Sequence, residues 1–164
     1  APFIDAVNFD LKGDEKFYHQ ICKGELAPVL KSIESAFEKG IHIEISSLVV
    51  TGLNDHDGFF NRVIGEIAQI SPAIPLHISR YFPCYRLNAP PTSLDTLRRF
   101  YDLASSKLDF VYLGNVSPDF GGQNTLCPDC KTPLILRRGY ETQILPEFNR
   151  GICSACGKRI YGRF

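Results

Sequence analysis

Six cysteines stand in this 164-residue chain, and four of them fall into two pairs of identical spacing, Cys127-Pro-Asp-Cys130 and Cys153-Ser-Ala-Cys156. Each Cys-x-x-Cys fits on one tight turn, and the 22 residues between the pairs let the two turns face each other. Four thiolates assembled in this way complete the tetrahedral shell of a zinc ion. Gly157, directly after the second pair, suits the left-handed turn that directs backbone amides at the sulfurs. Two other uses of the same residues stay open: disulfides, disfavoured where no secretory leader is read, and iron in a rubredoxin-like site. A closed four-thiolate shell has no position left for a substrate, so the expected metal holds a fold and does no catalysis. A ribbon this small has too little core to fold without it. Cys22 and Cys84 lack any ligand-like spacing and are expected to be buried or idle thiols.

A second pair of residues raises a different chemistry. Asp10 and Lys12 lie two positions apart in Val7-Asn-Phe-Asp-Leu-Lys-Gly13, on one face of a strand that ends at a glycine. In parallel α/β folds, reacting groups gather at the carboxyl ends of strands, which is where this charge pair falls.

The elements that must position these residues follow from the periodicity. Residues 6–11, 41–50, 76–81 and 110–113 carry the β-branched and aromatic content of strands. Between them run helical stripes: Leu26, Val29, Leu30, Ile33 and Phe37; Phe60, Val63, Ile64 and Ile67; Leu94, Leu97, Tyr101, Ala104 and Leu108. Gly40 suits the end of the first helix, Asn54 and Asp55 the start of the second, and Thr92 or Ser93 the start of the third. Strand, helix, strand repeated three times predicts an α/β fold with a parallel sheet, either doubly wound or curled into a barrel. The faces favour the barrel. Asn8, Asp10 and Lys12 share one face, as do His42, Glu44 and Ser46, and then His77 and Ser79, while the opposite faces are apolar. Taken singly, each of these residues is read as satisfying a neighbour; aligned on three strands, they predict a polar concavity that holds a polar ligand.

Composition narrows the class. The chain is 44% apolar and 22% charged, and 18 basic side chains balance 18 acidic ones, so overall charge calls for neither nucleic acid nor an anionic membrane. Arg137, Arg138, Arg150, Lys158, Arg159 and Arg163 make the ribbon somewhat basic, which a solvated surface explains, and nucleic acid is not an expected partner. No apolar run reaches the roughly 20 residues of a membrane span, and a cytoplasmic setting is expected. The chain opens on Ala1 and enters a strand within a few residues, and is expected to be a piece of something longer.

Set in order, Asp5–Gly13, Val49–Asp55, His77–Pro83, Tyr112–Val116, Asn124–Cys130 and Cys153–Lys158 resemble the C-terminal half of radical S-adenosylmethionine (SAM) enzymes. The branch in question is related to pyruvate formate-lyase activating enzyme and belongs to the AmmeMemoRadiSam system, whose members end in a zinc ribbon. The resemblance covers Ile4 to Phe164. It implies the later strands, roughly four to seven, of a partial (β/α)6 TIM-like barrel over residues 1–120, and a four-cysteine zinc ribbon over residues 121–164. It also implies S-adenosylmethionine and a [4Fe-4S] cluster as cofactors, and hydrogen abstraction from a glycyl-radical type protein or a small molecule. An electron donor such as flavodoxin or ferredoxin is the further partner implied.

The family holds its cluster in a C-x3-C-x2-C loop after the first strand, and none of the six cysteines here has that spacing. The chain by itself is therefore expected to be inactive. Asp10 and Lys12 match the family's Asp-Leu-Lys, which faces the methionine moiety of the cofactor; a zwitterionic amino-acid end needs both signs of charge nearby. Ser46 falls where the activating enzymes carry a carboxylate-binding arginine, and serine cannot make that bidentate contact. Phe82 replaces a histidine beside the adenosine, so it can stack but not hydrogen-bond. His77, Ser79 and Arg80 are further candidates for cofactor or substrate contacts. Two other classes stay open: a metal-dependent barrel hydrolase or lyase using His42, Glu44 and His77, and a binding module built around the ribbon.

Overall fold

The computed structural model describes residues 3–163; Ala1, Pro2 and Phe164, which the expected domain ranges include, lie outside the described residues. The chain divides into two compact units, one up to Asn115 and one from Val116.

The first unit is a parallel sheet of four strands, β1 (Ala6–Asp10), β2 (His42–Val49), β3 (Leu76–Arg80) and β4 (Val111–Gly114), paired in the order β1-β2-β3-β4. The order never reverses as it would in a doubly wound sheet. The connections are a short turn α1 (Glu15–Phe17) that continues as one turn of π-helix, Tyr18–Cys22, and then α2 (Ala27–Glu38), α3 (Asp57–Ile70) and α4 (Leu94–Ser105).

Burial alternates along the strands, as a period of two demands. Ile43, Ile45, Val49, Leu76, Ile78 and Leu113 are buried, whereas His42, Glu44, Ser46, His77, Ser79 and Tyr112 are half-exposed. The apolar stripes of the helices complete the core on the buried side with Ile33, Ile64, Leu97, Phe60 and Phe100, the last two stacked at 4.0 Å with their planes 9° apart.

One helix start uses a different residue from those expected, and the other uses one of the two offered. The N-cap of α3 is His56, whose Nδ1 accepts the Phe59 amide at 3.1 Å; Asp55 instead accepts the Gly52 amide, and Asn54 is buried. Ser93 caps α4 by accepting the Thr96 amide at 3.0 Å. Thr92 is buried in front of it, where its hydroxyl accepts the Tyr81 amide and donates to the Val49 carbonyl, joining the ends of β2 and β3.

The second unit has a three-stranded antiparallel sheet, β5 (Thr125–Leu126), β6 (Pro133–Arg138) and β7 (Glu141–Ile144), and a small hairpin, β8 (Phe148–Asn149) with β9 (Ile152–Cys153). Its buried apolar side chains are few, Leu134 and Ile160 beside Cys127 and Cys153. Among the described residues no helix is long and apolar enough to cross a membrane.

Candidate functional site

The four paired cysteines come together. Cys127, Cys130, Cys153 and Cys156 form the one set of three or more His, Cys, Asp or Glu among the described residues whose ligand atoms all lie within 4.8 Å of one another. The two turns are built alike. In the first, the Cys127 amide bonds the Thr132 carbonyl and the Lys131 amide bonds the Cys127 carbonyl; in the second, the Cys153 amide bonds the Lys158 carbonyl and the Gly157 amide bonds the Cys153 carbonyl. Each turn needs a left-handed residue four places after its first cysteine: Gly157, at φ +78°, is free to adopt that conformation, and Lys131, at φ +59°, adopts it despite its side chain.

The sulfur separations test what the set fits. Cys127 Sγ lies 3.5 Å from Cys156 Sγ and Cys130 Sγ 3.7 Å from Cys153 Sγ. A tetrahedral ion with metal–sulfur bonds of about 2.3 Å has sulfur–sulfur edges of about 3.8 Å. Disulfide sulfurs would be about 2.05 Å apart. A four-iron cluster, with each thiolate on its own iron at the outside of a cube, needs a wider set. The geometry therefore suits one metal ion held by four sulfurs. The thiols also differ in proton affinity. A hydrogen bond with Thr132 brings the pKa of Cys130 down to about 6. That of Cys156, although the Lys158 amide favours its thiolate, is pushed up to about 12, chiefly by hydrogen bonding to Cys130 and the other sulfurs. Four sulfurs this close shed their first proton easily and their last only when a cation compensates the charge.

The sheet's second face carries the other candidates. The register sets Asp10 opposite Ser46, Ser46 opposite His77 and His77 opposite Tyr112, so one row crosses all four strands. The next row toward the carboxyl ends is Leu48, Ser79 and Gly114. There, a Cβ on Gly114 would come within 2.9 Å of Ser79 Oγ, so glycine lets the two strands keep that contact. Glu44 is engaged at both oxygens: His77 Nε2 lies 2.9 Å from Oε2, and His42 Nε2 lies 3.5 Å from Oε1. The hydrogen bond from His77 holds the Glu44 carboxyl below its ordinary range, against the opposing effect of burial. The His77 ring also packs on Tyr112, with 5.1 Å between centroids.

At the tip of β1, Lys12 Nζ pairs with Asp10 Oδ2 at 3.1 Å, with both side chains substantially exposed. Two residues brace the backbone beneath them. The Tyr18 hydroxyl donates to the Asp10 carbonyl at 3.1 Å and accepts the Lys12 amide at 3.4 Å; burial raises the pKa of its phenol. Asn54 donates to the carbonyls of Lys12 (2.7 Å) and Leu48 (2.9 Å) and accepts the Val50 amide (2.6 Å). At the tip of β3, Arg80 Nε donates to the Thr92 carbonyl at 2.8 Å, and its guanidinium sits 4.7 Å from the Phe82 ring centre.

The sequence reading grouped the polar faces but did not include Tyr112, Tyr18 or the bracing role of Asn54. Tyr112 alternates correctly within its strand and was available to the same period-two argument; nothing local marks Tyr18 or Asn54. Cys22 and Cys84, expected to be buried or idle, are both exposed, and neither is a member of the four-sulfur set.

This fold is similar to that of radical SAM enzymes. The chain matches a domain of pyruvate-formate lyase-activating enzyme from Bacteroides vulgatus ATCC 8482 with a TM-score of 0.58, at 16% identity, over 68% of each chain. It matches a radical SAM methyltransferase from Sphaerobacter thermophilus with a TM-score of 0.50, at 15% identity, over 69% of this chain and 34% of that one. At such identities the likeness is one of fold. In sequence, the chain is 37% identical over 161 residues to the uncharacterized protein MJ0808 of Methanocaldococcus jannaschii, covering 96% of this chain and 48% of that protein. The chain thus spans about half the length of the curated relative it matches. No family model matches it.

Proposed function

We propose that this chain is the C-terminal part of a radical SAM enzyme similar to the activating enzymes of glycyl-radical proteins, with residues 1–120 forming part of a (β/α)6 barrel and residues 121–164 a zinc ribbon. The observation that carries the reading is the braced Asp10–Lys12 pair at the carboxyl end of β1, on the open polar face of a sheet with radical-SAM-like order. In this reading Asp10 takes the ammonium and Lys12 the carboxylate of the methionine moiety of S-adenosylmethionine. The exposed pair exchanges its mutual contact for the ligand's charges at little cost.

Ser46, His77 and Ser79 line the same face. Arg80 supplies a guanidinium near the ligand, because only its Nε is used by Thr92. Phe82 offers an apolar ring beside it. S-adenosylmethionine bound with a reduced [4Fe-4S] cluster supplies a 5′-deoxyadenosyl radical for hydrogen abstraction from a glycyl-radical type protein or a small molecule. The cluster's ligands and the docking of flavodoxin or ferredoxin are assigned to the longer protein; this chain's residues bind, orient and exclude water. Cys127, Cys130, Cys153 and Cys156 hold a structural zinc.

The test is anaerobic reconstitution of the longer protein with iron and sulfide. A brown chromophore, release of 5′-deoxyadenosine under reduction and loss of that release in Asp10→Ala and Lys12→Ala are expected. A colourless protein that cleaves no S-adenosylmethionine would falsify the reading. Elemental analysis of this chain should give one zinc and no iron.

A further inference from the structure

Glu44 and His77 form a unit that the Asp10–Lys12 pair does not explain. An ionised carboxylate can only accept, so with Glu44 Oε2 at 2.9 Å from His77 Nε2 the proton sits on that nitrogen. In a neutral imidazole the other nitrogen, Nδ1, is then a bare acceptor. Among the described residues it meets no hydrogen-bond partner, while the ring is fixed in place by Glu44 on one side and by Tyr112 at 5.1 Å on the other. The depressed titration of Glu44 keeps the carboxylate ionised, and with it the tautomer. A histidine wanted only for packing would not need a carboxylate to choose its tautomer and an aromatic ring to hold its plane.

We propose that His77 is the hydrogen-bond acceptor of this face, with Glu44 holding its Nε2–H so that Nδ1 receives a hydroxyl or ammonium group of a small molecule lying along the row Asp10, Ser46, His77, Tyr112. The row sets the scale: His77 is two strands from Asp10, roughly 10 Å at a strand spacing of about 4.8 Å. A ligand anchored by its amino-acid end at Asp10 and Lys12 reaches His77 with a polar group beyond that end. Ser46, between them, is small enough to let it pass. Glu44 is thus a positioning residue. The proposal rests on the assignment of the polar face to S-adenosylmethionine, and the experiment below separates the two.

Nitrogen-15 spectra of the His77 ring at pH 8 report the tautomer directly, and amide shifts of Asp10 and Lys12 report occupancy by millimolar S-adenosylmethionine. The expected result is an Nε2–H tautomer in the free chain, mixed tautomers in Glu44→Gln, and an upfield move of Nδ1 toward the hydrogen-bonded range as the Asp10 and Lys12 amides shift. An Nδ1–H tautomer in the free chain, or one unchanged by Glu44→Gln, overturns the proposal without any ligand. Amides that shift while Nδ1 stays put overturn it and leave the cofactor assignment standing. If neither moves, in this chain or in the reconstituted longer protein, the cofactor assignment fails and the proposal fails with it. Glu44→Asp, which keeps the charge with a shorter reach, is the second variant: it should retain the Nε2–H preference in part if the carboxylate is what selects it.

Discussion

The ribbon and the polar face of the sheet are assembled by opposite means. In the ribbon, each pair of cysteines is placed by a turn of a few residues, and the amides of Thr132 and Lys158 that approach Cys130 and Cys156 come from the same turns. On the sheet, Asp10, Ser46, His77 and Tyr112 are drawn from four strands spread over a hundred residues and meet only because the register aligns them. The first site is local and the second is a product of the whole unit. The ribbon site should therefore fail when one ligand is lost and survive damage elsewhere, while the sheet site should follow the stability of its core.

Cys127→Ser should give the largest effect. Structural zinc contributes on the order of 10 kcal/mol or more to domains of this size, so the amide signals of 116–163 should collapse to random-coil positions while those of β1 to β4 stay dispersed. Dispersed ribbon signals after zinc loss would break the contrast. Phe100→Ala removes a fully buried ring stacked on Phe60. It should cost the sheet unit about 3–5 kcal/mol in denaturant unfolding and leave zinc content unchanged. Asn54→Ala deprives one buried amide and two carbonyls of their partner. The expected cost is about 1–3 kcal/mol, with faster hydrogen exchange at Val50 and the β1 tip than at β3.

The smallest effect concerns acid. The Glu44 carboxyl titrates below its ordinary range when folded, so between that lowered value and the ordinary one, about 4.3, the unfolded chain binds more protons than the folded one. Stability from this group is present above the ordinary value and is lost as pH falls through the lowered one. Because Glu44 is half-exposed, the contribution is expected to stay under about 1 kcal/mol. Glu44→Gln should make the thermal midpoint fall slightly less steeply between pH 5 and pH 3, and an unchanged slope would show that the histidine pairing does not bear on folding.

How much could be read in advance follows the same division. Local features were legible: the paired cysteines, the alternating faces and most of the helical stripes depend on neighbours in sequence, although Leu94 is exposed and Phe100, outside the expected stripe, is buried. Periodicity alone leaves the strand order as a choice between doubly wound and barrel-like sheets, because it does not say on which side a crossover lands; only the aligned polar faces tilt that choice toward the barrel. Asn54 shows a further limit. In front of a helix an asparagine reads as a cap, yet its amide is spent on the carbonyl of Lys12, 42 residues away, and His56 does the capping. The α1 turn and Tyr18 escaped notice because a stretch that short carries no period to detect.

One asymmetry inside the ribbon has a chemical outcome. Each turn hides its first cysteine, Cys127 or Cys153, and shows its second, Cys130 or Cys156, to solvent. An alkylating reagent or an oxidant therefore encounters one sulfur from each half of the set before it meets the other two. Attack should proceed in two phases, a fast one at the outer sulfurs and a slow one that waits for the turns to open, so that the rate of the second phase becomes a clock for the ribbon's own unfolding.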